Sequence, residues 1–139
     1  MTKIELDPLG RFRIRIQEHL RMEGAAFGTR VIGTASSCVW EGGPVTATQI
    51  DPPANDWLTI DADGHGHVDA RLVMRTDDGA TILVRYGGRL TYTPEGASVI
   101  TAPTFETNDD RYRWLNHVQA VAKGRRDGQD LVYELFAVR

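Results

Sequence analysis

Hydrophobic and polar residues alternate with a period of two along several short segments of the chain. In one segment Phe12, Ile14 and Ile16 alternate with arginines. Successive side chains of a β-strand point to opposite faces, so this period predicts strands with two unlike faces. The segments that show it are RFRIRIQ, DARLVMR and LVYELFAV.

Short turn sequences rich in Gly, Pro, Asp and Asn separate these segments. Many short strands at such spacing are typical of an antiparallel sandwich or barrel, so we predict a mainly all-β fold. Only one segment has helical character, and it opens with Asn108, Asp109 and Asp110, which suit the start of a helix. We therefore predict one short helix near residues 109–116 that joins two strands.

The most informative segment reads HVDARLVMRTDDGATILVRYGG. Its Asp-Gly pair predicts a two-residue hairpin turn of type I′, which needs positive φ at both central residues. This register places Arg71 opposite Tyr86, with Asp69 on the same face. If that face lines a barrel lumen, the three side chains form either a structural ion pair or a clamp for an anion or carbonyl group. A three-residue loop would instead place Arg71 opposite Arg85.

Three further candidates lie outside this hairpin. Asp56 either caps a turn or accepts a proton at the mouth of the barrel. Trp57 either packs in the core or forms the wall of a pocket. Glu106 either faces solvent, pairs with an arginine, or faces the lumen, where burial would raise its pKa and suit general acid–base catalysis.

The predicted helix carries three candidates for contact with a ligand. Tyr112 and Trp114 either pin the helix against the barrel or line a pocket. Asn116 either satisfies backbone groups at the helix end or reaches inward as an amide donor.

Composition and charge exclude several classes of function. A length of 139 residues favours one domain over 1–139, and a net charge of −3 without a long basic run argues against nucleic-acid binding. We interpret the basic sequence KGRR at 123–126 as a solvated turn. The N-terminal sequence lacks the apolar segment of a signal peptide, and no apolar run approaches the ~20 residues of a membrane span. We therefore predict a cytoplasmic protein that does not bind a membrane.

Cysteine and histidine usage gives no sign of a metal site. The single cysteine, Cys38, is predicted to be a small buried residue and not a nucleophile. His65 and His67 have the spacing of two metal ligands, but no third ligand accompanies them, so we assign them to an exposed turn. We predict no metal and no cofactor.

Several motifs follow one another in a specific order and spacing over most of the chain. They are NDW at 55–57, DADG at 61–64, DAR at 69–71, RTDDGATI at 75–82, YGG at 86–88, APTFET at 102–107, YRWLN at 112–116, VAKG at 121–124 and the closing LVYELFAV. Together they resemble a family of small bacterial and fungal β-barrel proteins known as a domain of unknown function. The chain departs from the family pattern at PPAN, where the family tends to have a Gly-Gly pair, and at TASSCVWEGGP, which replaces a glycine-rich strand.

This resemblance implies a closed or nearly closed antiparallel barrel of the calycin-like type. It also implies a homodimer, no established cofactor and no single reaction shared by all members. The two departures fall near one mouth of the barrel, so the substrate class does not carry over with the fold.

These observations predict a cofactor-independent enzyme that acts on a small, largely apolar organic molecule, such as a secondary metabolite, in the barrel lumen. Isomerisation, cyclisation, dehydration and lyase reactions need only proton transfer and charge stabilisation. In this hypothesis Arg71 holds a substrate oxygen and Tyr86 donates a hydrogen bond to it. Asp69, Glu106 or Asp56 moves the proton, and the two candidate tryptophans shape the walls. The alternatives are a barrel that binds an apolar ligand without catalysis and an assembly protein with a filled lumen.

Overall fold

Ten β-strands account for most of the chain in the computed structural model, which describes residues 2–139. The strands are β1 (Leu6–Ala25), β2 (Gly28–Glu41), β3 (Ala47–Gln49), β4 (Asn55–Ile60), β5 (His65–Thr76), β6 (Thr81–Thr93), β7 (Gly96–Thr101), β8 (Thr104–Glu106), β9 (Ala120–Asp127) and β10 (Asp130–Val138). A single 3₁₀ helix spans Arg113–His117 within the described residues.

Eight of these strands form a closed antiparallel ring. The order around it is β5, β4, β2, β1, β10, β9, β7 and β6, and pairing between β5 and β6 closes the circle. The short strand β3 pairs with both β2 and β5 beyond the end of β4. The short strand β8 pairs with β6 beyond the end of β7. The predicted all-β barrel is thereby confirmed, and full closure leaves most strands without an open edge.

The alternation read from the sequence matches the alternation of buried and exposed side chains. In β5 every second side chain from Gly66 to Thr76 is buried, and in β10 Leu131, Tyr133 and Leu135 face inward. Burial of one face per strand removes apolar surface from water, which stabilises the fold by roughly 25 cal/mol per Å². It also fixes the register of each strand, because a slip of one residue would expose the apolar face.

One end of the barrel is filled by large side chains. Trp40 is fully buried, its ring edge-on to Phe12 and stacked on Phe105, with both ring centroids 5.2 Å away. The indole nitrogen donates a hydrogen bond of 2.8 Å to the backbone oxygen of Leu9, so the only polar atom of this side chain is satisfied. Leu115 of the 3₁₀ helix is also fully buried and closes this end.

Small residues line the other half of the barrel, where the lumen is not filled. Gly33 and Ala35 of β2, Ala70 of β5, and Ala122 and Gly124 of β9 all occupy inward positions. The lumen therefore narrows to a packed core at one end and retains space towards the other, which we call the mouth.

Two local predictions were wrong. The helix begins at Arg113 and not near 109, because the Asp109 carboxylate accepts hydrogen bonds from the backbone and guanidinium nitrogens of Arg111 and forms a turn instead of a helix cap. The KGRR sequence is not a turn but part of β9, where Arg125 faces solvent and Arg126 falls on the inward side.

Strand β1 continues past the barrel wall as one arm of a long hairpin. Its register with β2 shifts between Arg15 and Ile16 and twice more before Ala25, as β-bulges do. Pairing with β10 ends at Arg15, so the outer half of β1 is bonded on one side only, to β2. This outer half lies beside the mouth.

Candidate functional site

The hairpin between β5 and β6 has a different register from the predicted one. Asp77, Asp78 and Gly79 form a three-residue loop, and Arg71 lies opposite Arg85. A two-residue type I′ turn would need positive φ at Asp78 as well as Gly79, but only Gly79 adopts it, at 93°. The three-residue loop, which was the alternative predicted from the sequence, is therefore the one that forms.

Thr76 stabilises this longer loop through its side chain. Its hydroxyl oxygen accepts a hydrogen bond of 2.8 Å from the backbone nitrogen of Ala80 and donates one of 2.6 Å to the carboxylate of Asp78. A shift of one residue in register moves every side chain of a strand to the opposite face. The loop thus decides which side chains of the hairpin enter the lumen.

The predicted lumen placement of Arg71 is wrong, since its side chain lies on the outer surface of the barrel. Asp69 and Glu106 are exposed on the same outer surface. Arg71 and Glu106 border a groove of about 560 Å³ that also contains Arg85 and Leu83. Of the predicted hairpin cluster, only Tyr86 faces inward.

Neither predicted tryptophan wall lies in the lumen. Trp57 is 51% exposed and Trp114 is 42% exposed. Tyr112 does pin the 3₁₀ helix, because its hydroxyl donates to the carboxylate of Asp78 at 3.0 Å. The side-chain oxygen of Asn116 accepts a hydrogen bond of 2.8 Å from the backbone nitrogen of Thr107, and its side-chain nitrogen donates one of 2.9 Å to the backbone oxygen of the same residue. Asn116 therefore satisfies backbone groups, which is one of the two alternatives that the sequence left open.

The side chains that do face the unfilled lumen form a different group. A cavity of about 40 Å³ is bordered by Asp56, Tyr86, Tyr133 and Cys38, with aliphatic side chains around them. Asp56 also borders a second cavity of about 50 Å³ at the mouth. Asp56 is therefore the polar group shared by the interior and the entrance.

The local sequence explains why the Asp56 carboxyl group points into open space. Its cross-strand neighbours are Gly33 of β2 and Ala70 of β5, which are too small to cover it. Pairing between β4 and β5 lapses after Asp56 and resumes at Thr59. At this lapse the backbone nitrogen of Asp69 donates a hydrogen bond of 3.1 Å to Oδ1 of Asp56.

Burial raises the pKa of Asp56 to about 6. The hydrogen bond from the Asp69 amide and the positive charge of Arg126 act against this rise, while the negative charge of Asp69 adds to it. A carboxyl group with this pKa exchanges its proton near neutral pH, as a general acid or base must.

The two phenols and the thiol of the lumen are held in their neutral forms. Burial is the main cause that raises the pKa of both Tyr86 and Tyr133, whose rings meet edge to face at 5.7 Å. Burial likewise raises the pKa of the Cys38 thiol to about 12, which agrees with its predicted role as a buried residue. The phenols can donate hydrogen bonds, whereas the thiol is a poor nucleophile.

Sequence reasoning offered the mouth of the barrel as one of two alternatives for Asp56 and the lumen for Tyr86, but it missed Tyr133. The signal was present: Tyr133 alternates in phase with Leu131 and Leu135 on the apolar face of β10. It also lies across from Gly124, where a side chain would collide with the phenol ring.

Within residues 2–139 no three His, Cys, Asp or Glu side chains are grouped closely enough to hold a metal ion. His67 instead contacts the carboxylate of Asp61 at 2.9 Å, at the start of β5. No helix of the described residues is long and apolar enough to cross a membrane.

Two solved structures of bacterial proteins have the same fold. A β-barrel-like protein from Acinetobacter baumannii is 24% identical with a TM-score of 0.88, covering 100% of this chain and 98% of that one. A conserved protein of unknown function from Rhodopseudomonas palustris is 21% identical with a TM-score of 0.90, covering both chains fully. At these identities the likeness shows the fold alone.

Two fungal proteins from Penicillium herquei are also similar. A structure described as an enzyme from that fungus is 22% identical with a TM-score of 0.77, covering 100% of this chain and 97% of that one. The hydroalkoxylation enzyme phnH is 37% identical over 62 residues, which are 45% of this chain and 36% of that enzyme. The model of one family, described as protein of unknown function (DUF3237), matches residues 4–138. The chain, matched over almost its whole length, belongs to the DUF3237 family.

Proposed function

We propose that this protein is a cofactor-independent enzyme that moves protons on a small, largely apolar organic molecule at the mouth and in the lumen of the barrel. The observation that carries the proposal is the carboxyl group of Asp56, which has a pKa of about 6 and borders both cavities. A barrel that only binds an apolar ligand has no need of such a group.

The lumen supplies each part that such a reaction requires. Asp56 takes a proton from the substrate and returns it to another atom of the same molecule. Tyr86 and Tyr133, neutral because they are buried, donate hydrogen bonds to an oxygen that becomes negative during the transfer. Exclusion of water strengthens both interactions.

The fungal relative supports this class of chemistry. Hydroalkoxylation adds the O–H group of an alcohol across a carbon–carbon double bond, so a C–O bond and a C–H bond form while the double bond and the O–H bond break. Such an addition needs no oxidant or reductant, and the proton that leaves oxygen is balanced by the one gained at carbon. Cyclisation, isomerisation and elimination share this requirement, and we propose one of these reactions for the present chain.

The cavities restrict how a substrate is held. Their volumes of about 40 and 50 Å³ are far below the roughly 300 Å³ or more of common ligand sites. We infer that only the reacting part of the substrate enters the lumen and that the rest lies at the mouth. Ile16, which borders both cavities, is the side chain that has to move for a larger group to enter.

The test is a screen of small alkenols and enolisable ketones with the protein in deuterated water, followed by NMR. An enzyme of the proposed kind incorporates solvent deuterium at the carbon that gains the proton, whereas a binding protein shifts resonances without incorporation. In Asp56→Asn the incorporation should fall at least about a hundredfold, the usual share of a general acid or base.

The matched control is Glu106→Gln, which removes an exposed carboxylate of the outer surface and should retain the wild-type rate. If Asp56 acts as the base, the wild-type rate should fall as the pH drops through about 6. Binding without deuterium incorporation, or full activity of Asp56→Asn, would contradict the proposal.

A further inference from the structure

Among residues 2–139, one arginine without an ion-pair partner lines the entrance to the lumen. Strand β9 places Ala120, Ala122 and Gly124 on its inward face, and Arg126 continues that face at the mouth. Arg126 borders the cavity of about 50 Å³ together with Asp56, Tyr92 and Leu58. Its neighbour Arg125 points to solvent.

The Arg126 side chain is held by one nitrogen and leaves the others available. Its Nε donates a hydrogen bond of 2.9 Å to the backbone oxygen of Gly128. Within residues 2–139 the two terminal nitrogens have no hydrogen-bond partner, and no carboxylate lies within 4.0 Å of the guanidinium. An arginine fixed in this way presents a planar pair of donors without further loss of side-chain freedom.

The other arginine that borders this cavity has an acidic partner. Arg21 of β1 lies 2.8 Å from the carboxylate of Glu18, its neighbour on the same strand. Asp56 is the remaining acidic group, and in the part of the chain that the structure describes it forms no ion pair with Arg126, although both border this cavity. Among the described residues, Arg126 is therefore the cation of the entrance that has no ion-pair partner.

Arg126 borders the same cavity as Asp56, so its charge lies close enough to act on the lumen groups. Burial raises the pKa of Asp56 and of Tyr133, and the charge of Arg126 opposes both rises. An anion bound to Arg126 would consequently lie beside the carboxyl group proposed to move the proton.

We propose that Arg126 is the residue that selects the substrate, and that it binds an anionic oxygen, either a carboxylate or an ionised phenol or enol. This inference deepens the proposed function and rests on it for the role of Asp56. It defines the substrate as a molecule with an apolar part that reaches into the lumen and an acidic oxygen that stays at the mouth. A guanidinium group binds the two oxygens of a carboxylate through two parallel hydrogen bonds, and it binds a single phenolate or enolate oxygen through charge-assisted hydrogen bonds that a neutral alcohol does not match.

The test compares three probes of similar size: benzoate, 4-nitrophenolate and benzyl alcohol. Dissociation constants are measured by NMR titration at a pH where the first two are ionised. The wild-type protein should bind at least one of the anions about tenfold more tightly than the alcohol, because charged hydrogen bonds are the stronger ones. Preference for benzoate identifies a carboxylate as the group, and preference for 4-nitrophenolate an ionised phenol or enol.

Arg126→Met should remove this preference, weakening the bound anion about tenfold while leaving benzyl alcohol unchanged. Arg125→Met is the matched control on the outward face of the same strand and should bind all three probes as the wild type does. A further readout is the pKa of Asp56, which should rise in Arg126→Met because an opposing positive charge is lost.

Unchanged anion binding in folded Arg126→Met, or no anion preference in the wild type, overturns the inference. If the variant does not fold, the Nε–Hε resonance of Arg126 in the wild type decides, since it must shift when the anion is added and an unmoved resonance overturns the inference. These measurements need no turnover, so a failure of the deuterium screen would contradict the proposed function and leave the assignment of Arg126 standing.

Discussion

Asp56 illustrates at the scale of one residue how a functional group is kept at a cost to the fold. Its cross-strand neighbours are a glycine and an alanine, and one backbone amide bonds to the carboxyl group. Among residues 2–139 no basic side chain forms an ion pair with it, although the charge of Arg126 acts on it from the rim of the same cavity. An asparagine at this position would have nearly the same shape and would carry no charge. A carboxyl group left in such surroundings is typical of a site selected for chemistry and not for stability.

This cost leads to a prediction on the stability of Asp56→Asn. The ordinary pKa of 3.8 rises to about 6 in the folded protein, so folding favours the protonated form. The wild type should lose stability as the pH rises from about 4 through about 6, by up to roughly 3 kcal/mol. The asparagine keeps the oxygen that accepts the Asp69 amide and does not ionise, so the variant should be the more stable one at pH 8.

The measurement is the free energy of unfolding from urea titrations at several pH values between 4 and 8. The gap between variant and wild type should open over this window and be absent at its acidic end. Glu106→Gln, on the exposed surface, should show no such gap. If the variant is less stable than the wild type at every pH, ionisation of the Asp56 carboxyl group does not lower the free energy of unfolding, and the prediction is wrong.

At the scale of elements, strand identity was predictable from the sequence but the pairing of one hairpin was not. Period-two alternation identified β1, β5 and β10 because each buries one face. The β5–β6 register depends on whether an Asp-Gly pair forms a two-residue or a three-residue loop, and the Thr76 side chain decides this through two hydrogen bonds. Such a contact has no periodic signature, so the sequence placed Arg71 on the wrong side of the sheet.

The pairing of β9 with β10 leads to a prediction on Gly124, which lies across from Tyr133. A Cβ atom at Gly124 would lie 2.5 Å from Cδ1 of the Tyr133 ring, too close for the ring to stay in place. Gly124→Ala should therefore lower the free energy of unfolding by about 1–3 kcal/mol, as overpacked cores do. It should also shift the Tyr133 ring resonances and slow the proposed reaction.

Gly87→Ala is the matched control in β6, because a Cβ atom there meets only the backbone oxygen of Val68, at 3.4 Å. Urea unfolding and NMR of both variants check the expectation. Equal stability of the two variants, with the Tyr133 resonances unmoved, would mean that the ring is not held against Gly124.

At the scale of the whole molecule, closure of the barrel follows from strand count and alternation, but the position of the site does not. Many short strands with one apolar face and little helix leave a sandwich or a barrel as the stable arrangements. Which end is filled depends on side chains far apart in sequence, such as Phe12, Trp40 and Phe105. The open end results from small residues on β2, β5 and β9, and their convergence needs the three-dimensional ring.

The outer half of β1 is bonded to β2 alone, and this one-sided support has a consequence for how the entrance fluctuates. Amide hydrogens that face away from β2 in residues 17–25 lack the second strand that shields those of residues 11–15. Their exchange with solvent should be faster by orders of magnitude, since local opening there breaks few bonds. Hydrogen–deuterium exchange would detect it, and uniform protection along β1 would indicate a rigid rim. A rim that opens readily would let molecules larger than the resting cavities pass Ile16 without unfolding the barrel.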